Sequence, residues 1–278
     1  MKTGQVISKD GTTIAFDRSG QGPALILVDG ALQHRAIDPE SAKLAELLAP
    51  HLTVYHHDRR GRGDSTNTLP CALEREIEDI EALIDKAGGS ASLFGISSGA
   101  ALAFEAALAL GHKVQKLVMY EAPYNDDDTA RQAWRDYRKQ LKQVLAADRR
   151  GDALGLFMML LGMPADQLEE MRQHPMWPVW EAVAPTLAYD AAALGGDASV
   201  PTARAAGLRV PALIMDGSAT EWPFLHTTAV ALANAIPNAQ HRRLEGQSHE
   251  VAAEALAPVL VEFILARSPE AATMTRGT

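Results

Sequence analysis

The stretch Ser92-Leu93-Phe94-Gly95-Ile96-Ser97-Ser98-Gly99-Ala100-Ala101 sets a serine between two glycines where an apolar run gives way to a small-residue pattern. Leu93, Phe94 and Ile96 read as a buried strand, and Ala100 to Leu108 as a buried helix. If strand turns into helix within a residue or two, the backbone around the serine is strained and crowded, so Cβ atoms at positions 95 and 99 would collide with it. Such a turn holds the Ser97 hydroxyl clear for attack on a carbonyl. A serine hydroxyl is a weak nucleophile until a positioned base removes its proton and an acid orients that base. The chain has nine histidines, and His249 alone follows the last expected strand and precedes the last helix. The plain alternatives are an ordinary strand-to-helix turn and a surface histidine.

The elements that must position these residues alternate along the chain. Val6-Ile7-Ser8 and Thr12 to Phe16 flank Asp10-Gly11 and read as an opening antiparallel hairpin. Ala24 to Val28 is a near-continuous apolar run, as expected of a strand covered on both faces, and it ends in Asp29-Gly30-Ala31. A helix over Glu40 to Pro50 and a strand over Leu52 to Tyr55 follow. They lead into His56-His57-Asp58-Arg59-Arg60-Gly61-Arg62-Gly63-Asp64-Ser65, read as a turn fastened by its Asp and Arg residues. The adjacent His56 and His57 would point to opposite strand faces, which argues against a shared metal. An amphipathic helix over Leu73 to Ala87 precedes the serine strand, and Val114 to Tyr120, ending in Glu121, follows its helix. Three successive strand and helix units imply a parallel sheet with right-handed crossovers.

From Asn125 to about Ala206 the alternation stops and helices joined by loops are expected. The acidic run Asn125 to Thr129 reads as a helix cap rather than a cation site. Trp134, Trp177 and Trp180 fall here together with five methionines, Met158 among them. They form either the core of a helical insertion or an apolar roof over a ligand, and Trp134, Met158, Trp177 and Trp180 are the expected substrate-binding residues. The alternation resumes with Val210 to Met215, a helix from Pro223 to Ile236, a strand near His241 to Leu244, and a final helix through Val251 and Phe263.

The order Ser97 then His249, the glycine-flanked serine and the Asp58 to Ser65 segment together resemble the α/β-hydrolase superfamily over nearly the whole chain. The resemblance implies a mostly parallel eight-stranded sheet with helices on both faces, a helical cap inserted after strand six, and a Ser, acid and His triad in that chain order. Residues 1–124 and 207–267 would form the core, 125–206 the cap, and 268–278 a flexible tail. Family members commonly have His-Gly after the third strand, where this chain has Asp29-Gly30. They commonly carry the acid as Gly-x-x-Asp after the seventh, where this chain has Thr220. The acid candidates at strand ends are therefore Glu121, Asp216 and Glu221. Zearalenone-type lactonases place the acid at the end of strand six and resemble this chain in Asp-Gly and in Ser-Ser-Gly, which favours Glu121. The oxyanion would be held by the backbone N–H of Ser98 and of Gly30 or Ala31. Ser97, in place of an aspartate, disfavours epoxide and haloalkane hydrolysis.

Composition narrows the partners. A net charge of -9 argues against nucleic acid and anionic membrane, since both need clustered Lys and Arg. The single cysteine, Cys71, excludes an intrachain disulfide, and no run approaches a membrane span or a signal core, so a soluble cytoplasmic protein is expected. No cofactor and no metal are expected. The expected activity is that of a serine carboxylesterase or lactonase acting on a small hydrophobic ester or lactone, with a homodimer allowed. A non-enzymatic ligand receptor of the same fold and a carbon-carbon bond hydrolase or perhydrolase are the alternatives.

Overall fold

The structure is a computed structural model and describes residues 1–266. The expected tail, 268–278, lies outside the described residues. Eight strands form one sheet: β1 (Lys2–Ile7), β2 (Thr13–Ser19), β3 (Ala24–Val28), β4 (Thr53–His57), β5 (Ala91–Ile96), β6 (Val114–Tyr120), β7 (Ala212–Gly217) and β8 (Ala239–Leu244). They run in the order β1-β2-β4-β3-β5-β6-β7-β8, antiparallel at β1/β2 and β2/β4 and parallel elsewhere. The α/β-hydrolase fold is the observed architecture.

Side-chain alternation along the central strands divides the core in two. Leu25, Leu27, Phe94, Val118, Leu213 and Met215 face α1 (Pro39–Leu48) and α11 (Ala253–Leu265), meeting Leu44, Leu48, Leu256 and Leu260. Ile26, Val28, Leu93, Leu117, Met119 and Ile214 face the other way, toward α2 (Leu73–Lys86) and α3 (Ser98–Leu110). Strands covered on both faces need apolar residues at every position, and this is why they read as continuous runs. Between β6 and β7 lie α4 (Asp128–Ala146), α5 (Arg150–Leu160), α6 (Leu168–Met171), α7 (Trp177–Val183), α8 (Leu187–Ala193) and α9 (Thr202–Ala205). Asp127 caps α4, its carboxylate accepting the Ala130 N–H at 2.9 Å. α10 (Pro223–Ala235) connects β7 to β8. No helix among the described residues is long and apolar enough to cross a membrane.

The approach of α3 to the sheet depends on missing side chains. A Cβ on Gly95 would lie 2.6 Å from the Ala100 Cα, and one on Gly99 would lie 2.5 Å from the Asp29 carbonyl oxygen. Both neighbours are backbone and cannot swing aside. Gly99→Ala is expected to destabilise the protein by about 1–3 kcal/mol through overpacking. Gly196→Ala, whose Cβ would meet nothing nearer than 3.9 Å, should be close to neutral; urea midpoints of the two variants check the contrast.

Candidate active site

Ser97 occupies the single residue between β5 and α3 with φ 56° and ψ -129°, a left-handed conformation that a side chain rarely adopts. Its N–H donates to the Tyr120 carbonyl at 2.9 Å, which anchors the turn on β6. The next residue along β6, Glu121, also has a positive φ, 46°. Its N–H bonds the Met215 carbonyl at 3.0 Å. This backbone twist leaves the Glu121 carboxylate fully buried beside the end of β7. One oxygen, Oε1, accepts the Gly217 N–H at 2.8 Å; the other, Oε2, lies 2.7 Å from His249 Nδ1 and accepts the Thr220 hydroxyl at 3.4 Å. Thr220, at the position where relatives commonly carry an acid, thus serves here as a donor to one.

The loop bearing His249 is fixed at several points. The Tyr120 hydroxyl donates to the Ser248 carbonyl at 2.5 Å, and the Gln247 side-chain oxygen accepts the Ala252 N–H at 3.0 Å. The Trp222 ring meets the imidazole edge-on with centroids 5.3 Å apart. With Nδ1 held by Glu121, Nε2 is the nitrogen left for proton transfer. Of the competing acids, Asp216 is turned toward His226, His241 and Arg243 instead, and Glu221 is exposed. The structure therefore brings Glu121 and His249 together and leaves the other two acids away from that imidazole.

The loop after β3 corrects one expectation. The Gly30 N–H donates to Gln33 Oε1 at 2.8 Å, so it is not free to receive an oxyanion. Among the described residues no protein acceptor takes the N–H of Ala31 or of Ser98, the latter the first residue of its helix. Gly30 contributes space instead: a Cβ there would come within 3.2 Å of the Ser97 Cβ.

The charged segment after β4 sits against this loop. Arg59, Arg60 and Arg62 are almost wholly buried. Arg59 forks onto Glu76 with both bonds at 2.8 Å and reaches Asp190 Oδ1 at 2.6 Å and the Asp29 carbonyl at 3.2 Å. Arg62 holds the Gly30 carbonyl at 2.5 Å, the Gln33 carbonyl at 3.3 Å and Asp190 Oδ2 at 2.8 Å. Asp190, on α8, also accepts the Ser98 hydroxyl at 2.8 Å. Burial pushes the Asp190 carboxyl up, but the two guanidinium groups outweigh it and hold it below its usual range. The sequence offered Arg59 and Arg62 as turn fasteners; their role as ties between α8 and the loop beside Ser97 was not legible, because Asp190 lies far along the chain with no motif around it.

Asp29, standing where relatives commonly have histidine, is buried and pairs with His56 Nε2 at 2.8 Å, with the Ser41 hydroxyl at 3.2 Å on its other oxygen. Burial alone would raise the Asp29 carboxyl and lower the His56 imidazole, but their attraction prevails, lowering the first and raising the second. His57 is buried apart from this pair, with Nδ1 unpartnered and its imidazole pushed down to about 4 by burial.

Ser97, Ser98, Ala31 and His249 line one cavity of about 300 Å³. Trp134 and Tyr137 from α4, Phe157 and Leu160 from α5, and Trp222 and Phe224 at the start of α10 enclose it. Of the expected substrate-binding residues only Trp134 lines it. Met158 packs half-buried within the helices. Trp177 is buried in their core, bonded to Glu181 at 3.1 Å with the Arg172 guanidinium 5.3 Å above its ring. Trp180 stacks on His174 with centroids 5.4 Å apart. These three satisfy the insertion's own packing, and Trp222, which closes the cavity next to His249, was missed because it lies outside the tryptophan-rich stretch.

Comparison with known proteins agrees with this architecture. The family model described as alpha/beta hydrolase family matches residues 25–259. An alpha/beta hydrolase from Sphaerobacter thermophilus is 50% identical, with 94% of this chain and 100% of that one covered and a TM-score of 0.81. A thermophilic esterase from Thermogutta terrifontis shares the fold at 21% identity, covering 95% and 98% with a TM-score of 0.70. An enol-lactonase from Burkholderia xenovorans does so at 18%, covering 95% and 100% with a TM-score of 0.64.

The Asp29 and His56 pair makes stability depend on pH. Between the ordinary carboxylate range, about pH 4, and about pH 6.5 the imidazole is protonated and the carboxylate ionised folded or unfolded, and the pair's contribution is whole; it is lost as pH rises through the raised folded value of His56 or falls through the lowered one of Asp29. The stability advantage of wild type over His56→Gln is therefore expected to be largest in mild acid and to shrink toward alkaline pH, as read from urea unfolding across that range.

Proposed function

The chain belongs to the alpha/beta hydrolase family, and on that premise we propose that it is a serine hydrolase cleaving a carboxylic ester or lactone of a small hydrophobic substrate. The observation that carries the reading is the 2.7 Å contact between the buried Glu121 carboxylate and His249 Nδ1, with His249 and Ser97 on one cavity. Glu121 fixes the tautomer in which Nε2 is the base. That nitrogen takes the Ser97 proton as the hydroxyl oxygen attacks the carbonyl carbon, and returns it to the departing alkoxide. Water then attacks the acyl-enzyme, giving its proton to His249, and Ser97 leaves with that proton as the acid is released. The N–H groups of Ala31 and Ser98 stabilise the oxyanion of both tetrahedral intermediates. The largely aromatic and aliphatic wall of the cavity supports a hydrophobic substrate.

The test is turnover of a p-nitrophenyl ester and a panel of lactones. Ser97→Ala is expected to abolish turnover with the fold intact; activity within about tenfold of wild type, ~1.4 kcal/mol in barrier, refutes the assignment. Glu121→Gln keeps the shape but can donate to Nδ1 and favours the wrong tautomer, so kcat should fall by as much as about 10⁴-fold, the loss seen for the equivalent change in a serine protease. Asp216→Asn, compared at equal folded fraction, should stay near wild type.

The cavity wall sets selectivity. Trp134→Ala is expected to change the preference among acyl lengths by roughly 1–3 kcal/mol, whereas Trp177→Ala should lower stability without altering the preference. Relative kcat/KM values across the ester panel distinguish the two.

A further inference from the structure

The sequence gives no reason to expect a metal, yet the fold gathers Asp216 from β7, His226 from α10 and His241 from β8 into one cluster. One ligand atom from each lies within 4.8 Å of the others. His226 Nδ1 is 2.9 Å from Asp216 Oδ2, and His241 Nε2 is 2.5 Å from Asp216 Oδ1. We propose that these three side chains form a binding site for a divalent cation of the zinc class, separate from the candidate active site.

The chemistry of the donors points to that class. Two imidazoles and one carboxylate suit Zn²⁺ and its late first-row neighbours, which accept mixed N and O ligands, and disfavour Ca²⁺ and Mg²⁺, which take oxygen. The carboxylate is fully buried, while the imidazoles are 39% and 27% exposed. The site thus has a fixed floor and an open side through which an ion enters and keeps water as a fourth ligand. Coordination needs the lone pairs of His226 Nδ1 and His241 Nε2, so any proton each shares with the carboxylate moves to the other ring nitrogen or to water. One group opposes the ion: Arg243 Nε lies 3.3 Å from Asp216 Oδ2, on a side chain 45% exposed and free to turn outward.

The position makes the role structural. Asp216 precedes Gly217, whose N–H holds Glu121. His226 lies in the first turns of the helix that Trp222 leads into, and Trp222 contacts His249. An ion tying the two strands to this helix braces the edge on which the acid and the imidazole rest.

Chelator-treated protein, desalted and then titrated with Zn²⁺ against a chromophoric competitor, tests the proposal. One equivalent is expected, with a melting temperature that rises with Zn²⁺. His226→Ala and His241→Ala should each weaken binding by more than the roughly 10 to 100-fold that loss of an outer-shell partner costs. Arg243→Gln should tighten it, and His249→Ala should leave it unchanged. Zn²⁺ binding below one equivalent in wild type overturns the proposal. So does binding kept in both His226→Ala and His241→Ala but lost in His249→Ala, which would put the ion at the candidate active site.

Discussion

Three buried guanidinium groups, two of them bonded to the loop beside the serine turn, impose the strongest constraint on this protein. Removing a cation from water costs several kcal/mol, and only a close, fully bonded acid offsets it. Arg59 finds Glu76 and Asp190, Arg60 finds Asp79 and Asp10, and Arg62 finds Asp190. The donors left over after these pairings reach the carbonyls of Asp29, Gly30 and Gln33. The loop beside Ser97 is thereby held by charges whose compensation comes from α2 and α8. Removing one partner from such a set typically costs about 3–5 kcal/mol, since a buried charge is then left alone.

The candidate site draws on backbone strain as well as charge. Ser97 and Glu121 end neighbouring parallel strands, and both have left-handed φ. Residues in such regions cost about 1–3 kcal/mol each and persist only where the surroundings over-determine them. Here the surroundings are specific: the Tyr120 carbonyl on the Ser97 N–H, the Met215 carbonyl on the Glu121 N–H, and α3 seated on a sheet that admits no Cβ at Gly95 or Gly99. With the Glu121 carboxylate placed at the end of β6 against His249, the loop after β7 puts no carboxylate on that imidazole, and its residues make other contacts. Thr220 bonds the acid and Trp222 walls the cavity.

What the sequence made legible follows from how local each signal was. The glycine-flanked serine lies within a few residues of the strand and helix that create it, so its turn could be read directly, as could the continuous apolar strands. Resemblance rather than physics favours Glu121 over Asp216 and Glu221, because what separates the three is which carboxylate the His249 loop approaches, and the one it meets lies 128 residues away in the chain. The sequence does not choose between the N–H groups of Gly30 and Ala31, because the acceptor of the Gly30 N–H is a side chain, Gln33, which no backbone pattern announces. The tryptophans at 177 and 180 fit a helical core or a ligand roof equally well in the sequence, because their abundance does not say which face of a short helix turns inward. Asp190 was invisible: an isolated aspartate in an alanine-rich stretch carries no period, and only the arrival of Arg59 and Arg62 gives it meaning.

The link from Arg59 and Arg62 to Asp190 spans 131 and 128 residues of chain. A ribosome adds residues from the N-terminus, and domains tend to settle as their segments emerge. The strands and helices that surround the serine turn are complete by residue 120, well before α8 exists. Until it does, Arg59 has only Glu76, and Arg62 has no acid at all within its final set of partners. A chain that stops short of α8 lacks the carboxylate these two cations share, and the desolvation of Arg62 is then left without a counter-charge. The carbonyls of Gly30 and Gln33 beside Ser97 therefore take as their partner a cation whose only acid, among the described residues, comes from a much later part of the chain.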